Sequence, residues 1–128
     1  MVANREMNMN IIIVEDDLDI AGGLETGFKF IRGVKNVHIA SSVSEALEAM
    51  YETEFNLVVT DYNLPGGMNG IELVTQCKQI NPNLIIFMLS GRKNVREDAI
   101  AAGITKFFLK GGDIDLLYNE VEKLPKKS

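Results

Sequence analysis

The segment Leu57-Val58-Val59-Thr60-Asp61 is a short apolar run, rich in β-branched residues, that ends in a carboxylate. Three other apolar runs also end in a group that can handle phosphate or a divalent metal ion. They are residues 11–14 before Glu15-Asp16-Asp17, residues 84–89 before Ser90, and residues 107–109 before Lys110. Parallel strands that are buried on both faces are apolar almost throughout. Because the carboxyl ends of such strands meet at one ligand-binding edge of an open sheet, these polar groups are predicted to converge.

Strand-like and helix-like segments alternate along the whole chain. Strands are predicted at residues 10–14, 37–40, 56–60, 84–89 and 105–109. Apolar residues at helical spacing predict helices at about residues 18–31, from 43 onward, and at 71–80, 94–102 and 113–124. Five such units predict an α/β fold, a doubly wound parallel sheet with helices on both faces.

Specific residues are predicted to begin or end these helices. Ser42 and Glu45 have the spacing of a capping box at the start of the second helix. Asn94 is predicted to cap the fourth helix, and Gly103 is predicted to end it.

The length of 128 residues and the 46% hydrophobic content fit one domain, predicted at residues 10–125. Residues 1–9 are predicted to be a flexible N-terminal segment and residues 126–128 a C-terminal tail. The net charge of −5 disfavours nucleic acid or an anionic membrane as partner, and no apolar run approaches the ~20 residues of a membrane span. Cys77 is the only cysteine and falls in an apolar helical stripe, which indicates a core position. The first ten residues lack the apolar region of a signal peptide, so a reducing, cytoplasmic setting is expected. The only histidine, His38, is predicted to point away from the core.

Three consecutive acids, Glu15, Asp16 and Asp17, follow the first predicted strand. Asp17 is interpreted as the N-cap of the next helix, where its carboxylate accepts hydrogen bonds from free backbone N–H groups. The other two acids repel each other unless a cation offsets their charge. Asp61 adds a third carboxylate from the adjacent strand, and such an oxygen-only set suits Mg²⁺.

Ser90 and Lys110 follow the fourth and fifth predicted strands. Phosphoryl transfer requires neutralisation of the charge on the equatorial phosphate oxygens, which an ammonium, a hydroxyl and a metal ion can supply. Their joint placement favours a phosphoryl-transfer site over two unrelated loop residues.

The loop after the third strand runs Asp61-Tyr62-Asn63-Leu64-Pro65-Gly66-Gly67-Met68-Asn69-Gly70. Together with Glu15-Asp16, Ser90, Gly103 and Lys110, this loop resembles the receiver domain of two-component response regulators over nearly the whole chain. The resemblance implies a flavodoxin-like (βα)5 sheet with strand order 2-1-3-4-5.

The resemblance also implies a role for each site residue. Asp61 would take a phosphoryl group from a phosphohistidine on a sensor histidine kinase or a histidine phosphotransfer protein. Asp16 and Asp61 would bind Mg²⁺ directly, with Mn²⁺ as a substitute. The backbone carbonyl of Asn63 would join them, and Glu15 would act through a metal-bound water.

Other residues would contact the phosphate or respond to it. Lys110 would pair with the phosphate, Ser90 would donate a hydrogen bond to it, and Gly91 would offer its N–H. Asn63 and Arg92 would flank the phosphate and influence its hydrolysis.

Ser90 and Phe107 would form a switch that changes the surface made by the fourth helix, fifth strand and fifth helix. Leu116 and Tyr118 on the last helix would contact a downstream protein there. The chain would act as a signalling phosphoacceptor and not as an enzyme with a separate substrate.

Gly111 is the largest departure from the family pattern, which usually places proline after the lysine. A cis peptide bond without proline costs roughly 2.5–4 kcal/mol, so a trans bond is expected. Lys110 is still predicted to point into the acidic pocket. The loop after Asp61 also carries one extra residue, through Gly66-Gly67.

Three other classes of protein share features with this sequence. A pseudo-receiver usually lacks an acid or the phosphoacceptor, and neither is missing here. A phosphohydrolase of the haloacid dehalogenase type needs a second aspartate two residues after its nucleophile, where this chain has Asn63. A flavin carrier would place a phosphate-binding loop after the first strand, where this chain has acids.

Overall fold

The computed structural model describes residues 9–125, in which strands and helices alternate as predicted. The strands are β1 Met9–Val14, β2 Val34–Ala40, β3 Leu57–Asp61, β4 Ile85–Ser90 and β5 Lys106–Leu109. The helices are α1 Leu18–Lys29, α2 Val43–Glu52, α3 Gly70–Ile80, α4 Arg96–Ala102 and α5 Ile114–Lys123, with a 3-10 turn at Lys93–Val95 before α4. The predicted flexible segment 1–9 and the tail 126–128 lie outside the described residues, except that Met9 is buried and begins β1.

The five strands form one parallel sheet in the order β2-β1-β3-β4-β5, which confirms the predicted doubly wound topology. The carboxyl ends of the strands lie in register, with Val14 beside Thr60, Asp61 beside Leu89, and Ser90 beside Leu109. The residues that end or follow β1, β3, β4 and β5 therefore share one edge of the sheet.

Alternate residues of the central strands pack on opposite faces of the sheet. Ile12 and Val58 face the core shared with α2, α3 and α4, whereas Ile13 and Val59 face the core shared with α1 and α5. Because full burial of such a side chain contributes about 1.5–3 kcal/mol, the two cores keep the central strands, and thus the site, in place. No helix within residues 9–125 is both long and apolar enough to span a bilayer.

Cys77 and His38 lie where the sequence placed them. The Cys77 thiol is fully buried, 3.7 Å from the Met50 sulfur, and burial raises its pKa to about 12. His38 is exposed on β2, with its ring 5.9 Å from the Phe55 ring.

The predicted cap of α1 is confirmed, and the predicted capping box of α2 is confirmed in part. Asp17 Oδ1 accepts hydrogen bonds from the N–H groups of Asp19 (3.0 Å) and Ile20 (3.3 Å), as a cap should. Ser42 caps α2 by accepting from the Glu45 N–H. The capping box is nevertheless wrong at this helix, because the Glu45 carboxylate bonds to Ser41.

The other predicted cap is wrong. Asn94 lies inside the 3-10 turn, and no side chain caps that turn or α4. A complete capping box occurs instead at α3, between Asn69 and Glu72. Gly103 ends α4 with a φ of 116°, as predicted.

Candidate phosphoacceptor site

Three carboxylates meet at the carboxyl edge of the sheet. Oxygen atoms of Glu15, Asp16 and Asp61 lie within 4.8 Å of one another. Asp61 and Glu15 are buried, whereas Asp16 is exposed. An oxygen-only set of this charge fits Mg²⁺, which commonly keeps several waters beside a few carboxylate ligands. The cluster predicted from the sequence is thus present, without Asp17, which caps α1.

Glu15 is held in the cluster by its surroundings. Its N–H donates to the Ala40 carbonyl at 2.9 Å, and its carboxylate accepts from the Asp17 N–H at 3.1 Å. Burial raises the pKa of Glu15, and the negative charge of Asp61 adds to the rise. The Asp17 N–H and the Lys110 ammonium oppose this rise without cancelling it.

Lys110 points into the acidic pocket, as predicted. Its Nζ lies 3.1 Å from Asp61 Oδ2 and 3.1 Å from Glu15 Oε1. The described residues contain no cis peptide bond, so the bond between Lys110 and Gly111 is trans. Burial by itself would lower the pKa of Lys110, but hydrogen bonds to the Asp61 and Glu15 carboxylates raise it.

Ser90 ends β4 beside this pocket and is fully buried. Its Oγ accepts a hydrogen bond from the Arg92 N–H at 3.0 Å. Gly91 and Arg92 are exposed, and the Arg92 guanidinium lies over the Tyr62 ring, 5.5 Å from its centroid. This contact joins the loops after β3 and β4. Sequence reasoning missed it because nothing in the spacing of Tyr62 and Arg92 marks them as neighbours.

The loop after Asp61 is closed by Gly70, at the start of α3. The Gly70 N–H donates to the Tyr62 carbonyl at 2.7 Å, and a Cβ at this position would collide with the Asp61 carbonyl. The extra residue of the loop is accommodated by Gly66 and Gly67, which both have positive φ. Asn63 is exposed within this loop, and its ligand role stays a prediction.

Phe107 is the second residue of β5. It is half-buried and lines a groove of about 260 Å³ with Ile100 of α4 and Leu116 of α5. Leu116 is exposed there, as predicted.

Tyr118 does not line this groove, so the prediction that it contacts a partner here is wrong. Its ring packs edge-on against Phe28 of α1 at 5.4 Å, and its hydroxyl donates to the Gly23 carbonyl at 3.3 Å.

Comparison with known proteins gives the same family. The family model of the response regulator receiver domain matches residues 11–122. The chain therefore belongs to the receiver domains of response regulators, the phosphoacceptor domains of two-component signalling.

Among curated proteins, the sporulation initiation phosphotransferase F of Bacillus subtilis is 30% identical, covering 95% of this chain and 98% of that protein. The transcriptional regulatory protein ZraR of Escherichia coli is 29% identical over 91% of this chain, but the match spans only 26% of ZraR. A CheY-like receiver structure from Methanospirillum hungatei superposes with a TM-score of 0.78 at 28% identity, covering 90% of this chain and 92% of that one.

Proposed function

We propose that Asp61 is the phosphoacceptor and that its donor is a phosphohistidine. An Asp61 carboxylate oxygen attacks phosphorus, the phosphorus–nitrogen bond breaks, and the imidazole leaves with the electron pair. The observation that carries this proposal is the setting of Asp61, a buried carboxylate with an ammonium at 3.1 Å and two more acids within 4.8 Å. Positive charge on one side and a cation-attracting cluster on the other suit a transferred phosphoryl group.

Glu15, Asp16, Asp61 and the backbone carbonyl of Asn63 are the proposed holders of Mg²⁺, with Mn²⁺ as a substitute. When bound, the metal supplies positive charge that offsets the negative charge of the phosphoryl oxygens. The chemistry of the donor set supports this assignment, since the three clustered side chains offer only carboxylate oxygens.

The remaining roles fall to residues at the same edge of the sheet. Lys110, already in the pocket, neutralises a phosphate oxygen, and Ser90 donates its hydroxyl hydrogen to another. The hydroxyl hydrogen is free for that bond because Ser90 Oγ serves as the acceptor of the Arg92 N–H. Gly91 donates its N–H to the phosphate, while Asn63 and Arg92 flank the phosphate and influence its hydrolysis.

The proposed partners are a sensor histidine kinase or a histidine phosphotransfer protein, and an unidentified downstream protein, with the cytoplasm as the setting. Ser90 and Phe107 are proposed to change the surface of α4, β5 and α5 on phosphorylation. The exposed Leu116 and the groove beside Phe107 support this surface as the one that the downstream protein binds. The chain catalyses only its own phosphorylation and dephosphorylation.

The proposal is tested by incubating the chain with acetyl phosphate and Mg²⁺ and mapping the modification by mass spectrometry. We expect one phosphoryl group on Asp61, none in Asp61→Asn, and none after removal of Mg²⁺ with a chelator. Asp17→Asn is the matched control, because it removes a carboxylate from the same edge yet retains an oxygen that caps α1. An unmodified wild-type chain, or equal modification of Asp61→Asn, would refute the proposal and favour the pseudo-receiver.

A further inference from the structure

Lys110 is followed by glycine and not by a proline that would direct its side chain. The following Gly111 and Gly112 are exposed, neither has a positive φ, and a Cβ at either would meet no other part of the chain within 4 Å. These two glycines therefore do not by themselves aim the ammonium at Asp61.

A pair of hydrogen bonds closes the backbone around Lys110. Within residues 9–125, β5 is an edge strand that pairs only with β4, so one side of its backbone has no strand partner there. The Lys110 N–H faces β4 and donates to the Ser90 carbonyl at 2.9 Å. The Leu109 N–H donates instead to Asp113 Oδ2 at 2.8 Å, and the Asp113 N–H returns a bond to the Leu109 carbonyl at 3.0 Å.

The Asp113 carboxylate accepts from the Leu109 N–H and does not cap α5. It precedes the first residue of α5, where a carboxylate ordinarily accepts from the free N–H groups of the helix. No side-chain cap bond forms at α5, because the Asp113 carboxylate is turned back towards β5.

We propose that Asp113 is a positioning residue for Lys110. Its two bonds to Leu109, with the bond from Lys110 to Ser90, fix the direction in which the lysine side chain leaves β5. That direction brings Nζ to 3.1 Å from both Asp61 and Glu15. The inference rests on the proposed role of Lys110 in holding the phosphate.

The test is the rate of phosphorylation by acetyl phosphate with Mg²⁺ in single and double variants. Asp113→Ala should slow the reaction about three- to tenfold, the effect of losing one positioning hydrogen bond. Asp113→Asn keeps an oxygen acceptor and should stay within about twofold of wild type. Asp115→Ala is the matched control, because it removes an exposed acid from the first turn of the same helix.

The double variant separates positioning from folding. If Asp113 acts through Lys110, Asp113→Ala should have no further effect once Lys110→Ala is present. An equal slowing in both backgrounds would overturn the inference, as would an Asp113→Asn variant as slow as Asp113→Ala. Thermal unfolding of each variant checks that the compared chains are folded.

Failure of the proposed function would show separately, as a wild-type chain that takes no phosphoryl group. Asp113 is then judged by lysine acetylation with acetic anhydride, read by mass spectrometry with exposed Lys93 as internal reference. Faster labelling of Lys110 in Asp113→Ala but not in Asp115→Ala would support the positioning role. Unchanged labelling would overturn it.

Discussion

At the scale of single residues, Lys110 keeps two buried carboxylates together that would otherwise repel each other. The folded pKa of Glu15 lies above its ordinary value of 4.5, chiefly because of burial. The protonated form of Glu15 is therefore favoured by folding. This contribution to stability is fully present below pH 4.5 and is lost as the pH rises through the folded pKa.

Lys110→Met should raise the pKa of Glu15 further, because the variant removes the nearest positive charge and a hydrogen bond that lower it. Carbon-13 NMR titration of the Glu15 carboxyl measures the change. Lys106→Met is the control, since Lys106 pairs with Glu120 outside the cluster. A Glu15 pKa that is the same in Lys110→Met and wild type would contradict the geometry.

Arg92 and Tyr62 should be energetically coupled, although both belong to loops. A cation over an aromatic ring is worth about 0.5–1 kcal/mol at exposed sites, so Arg92→Gln and Tyr62→Leu should be non-additive by that amount in the free energy of unfolding. Urea unfolding of the two single variants and the double variant gives the coupling. Tyr62→Phe, which keeps the ring face, should retain it, and strictly additive effects would refute the contact.

At the scale of elements, Tyr118 shows why a partner-binding surface is hard to predict from the sequence of one helix. The last helix has apolar residues on more than one side, and the sequence offered Leu116 and Tyr118 alike as exposed groups. In the folded chain, α1 supplies a surface for Tyr118, because Gly27 lets the ring approach the helix backbone. Leu116 lines the groove beside Phe107 and stays exposed.

Gly27→Ala should therefore destabilise the chain by about 1–3 kcal/mol, the usual effect of overpacking, because the new Cβ would collide with the Tyr118 ring. Gly22→Ala in the same helix is the matched control. Its Cβ would meet no atom within 4 Å, so it should stabilise the chain by about 0.5–1 kcal/mol. Thermal unfolding distinguishes the two, and a stabilising Gly27→Ala would show that Tyr118 does not occupy this space.

The first residues of helices and strands depend on which groups bond to each other and which are exposed, and residue spacing does not reveal this. Ser41 and Ser42 both lie within reach of Glu45, and the carboxylate bonds to Ser41. β2 begins at Val34, before the predicted residue 37. The apolar pattern did not reveal this start, because the polar Lys35 and Asn36 are exposed on this edge strand and interrupt the pattern.

At the scale of the whole molecule, the sheet gathers negative charge at the edge where the proposed phosphoacceptor lies. Glu15, Asp16 and Asp61 come from two adjacent strands and converge only because β1 and β3 are parallel neighbours. A cation that binds the folded chain and not the unfolded chain stabilises it through mass action, by about 2.7 kcal/mol at one hundred times its Kd.

Mg²⁺ should accordingly raise the Tm in a concentration-dependent way, and Asp16→Asn should greatly reduce that rise. Scanning calorimetry at constant ionic strength measures both effects. Asp19→Asn is the control, because Asp19 is an exposed acid of α1 outside the three-acid cluster. Equal stabilisation of wild type and Asp16→Asn by Mg²⁺ would exclude Asp16 as a ligand.

The sequence by itself determined the order of elements, the parallel sheet and the candidate site residues. The elements, the sheet and the residues Glu15, Asp16, Asp61, Ser90 and Lys110 follow from local signals: apolar runs, helical spacing and a polar group at the end of four strands. The roles of Asn63, Gly91, Arg92 and Phe107 came from the family resemblance and stay predictions. Even the inward direction of Lys110 was predicted without a proline behind it. Only the tertiary structure decided which groups touch. The turn of Asp113 towards Leu109, the contact of Arg92 with Tyr62 and the packing of Tyr118 on α1 join separate elements. Such contacts depend on distances and directions between elements, which exist only once the chain has folded.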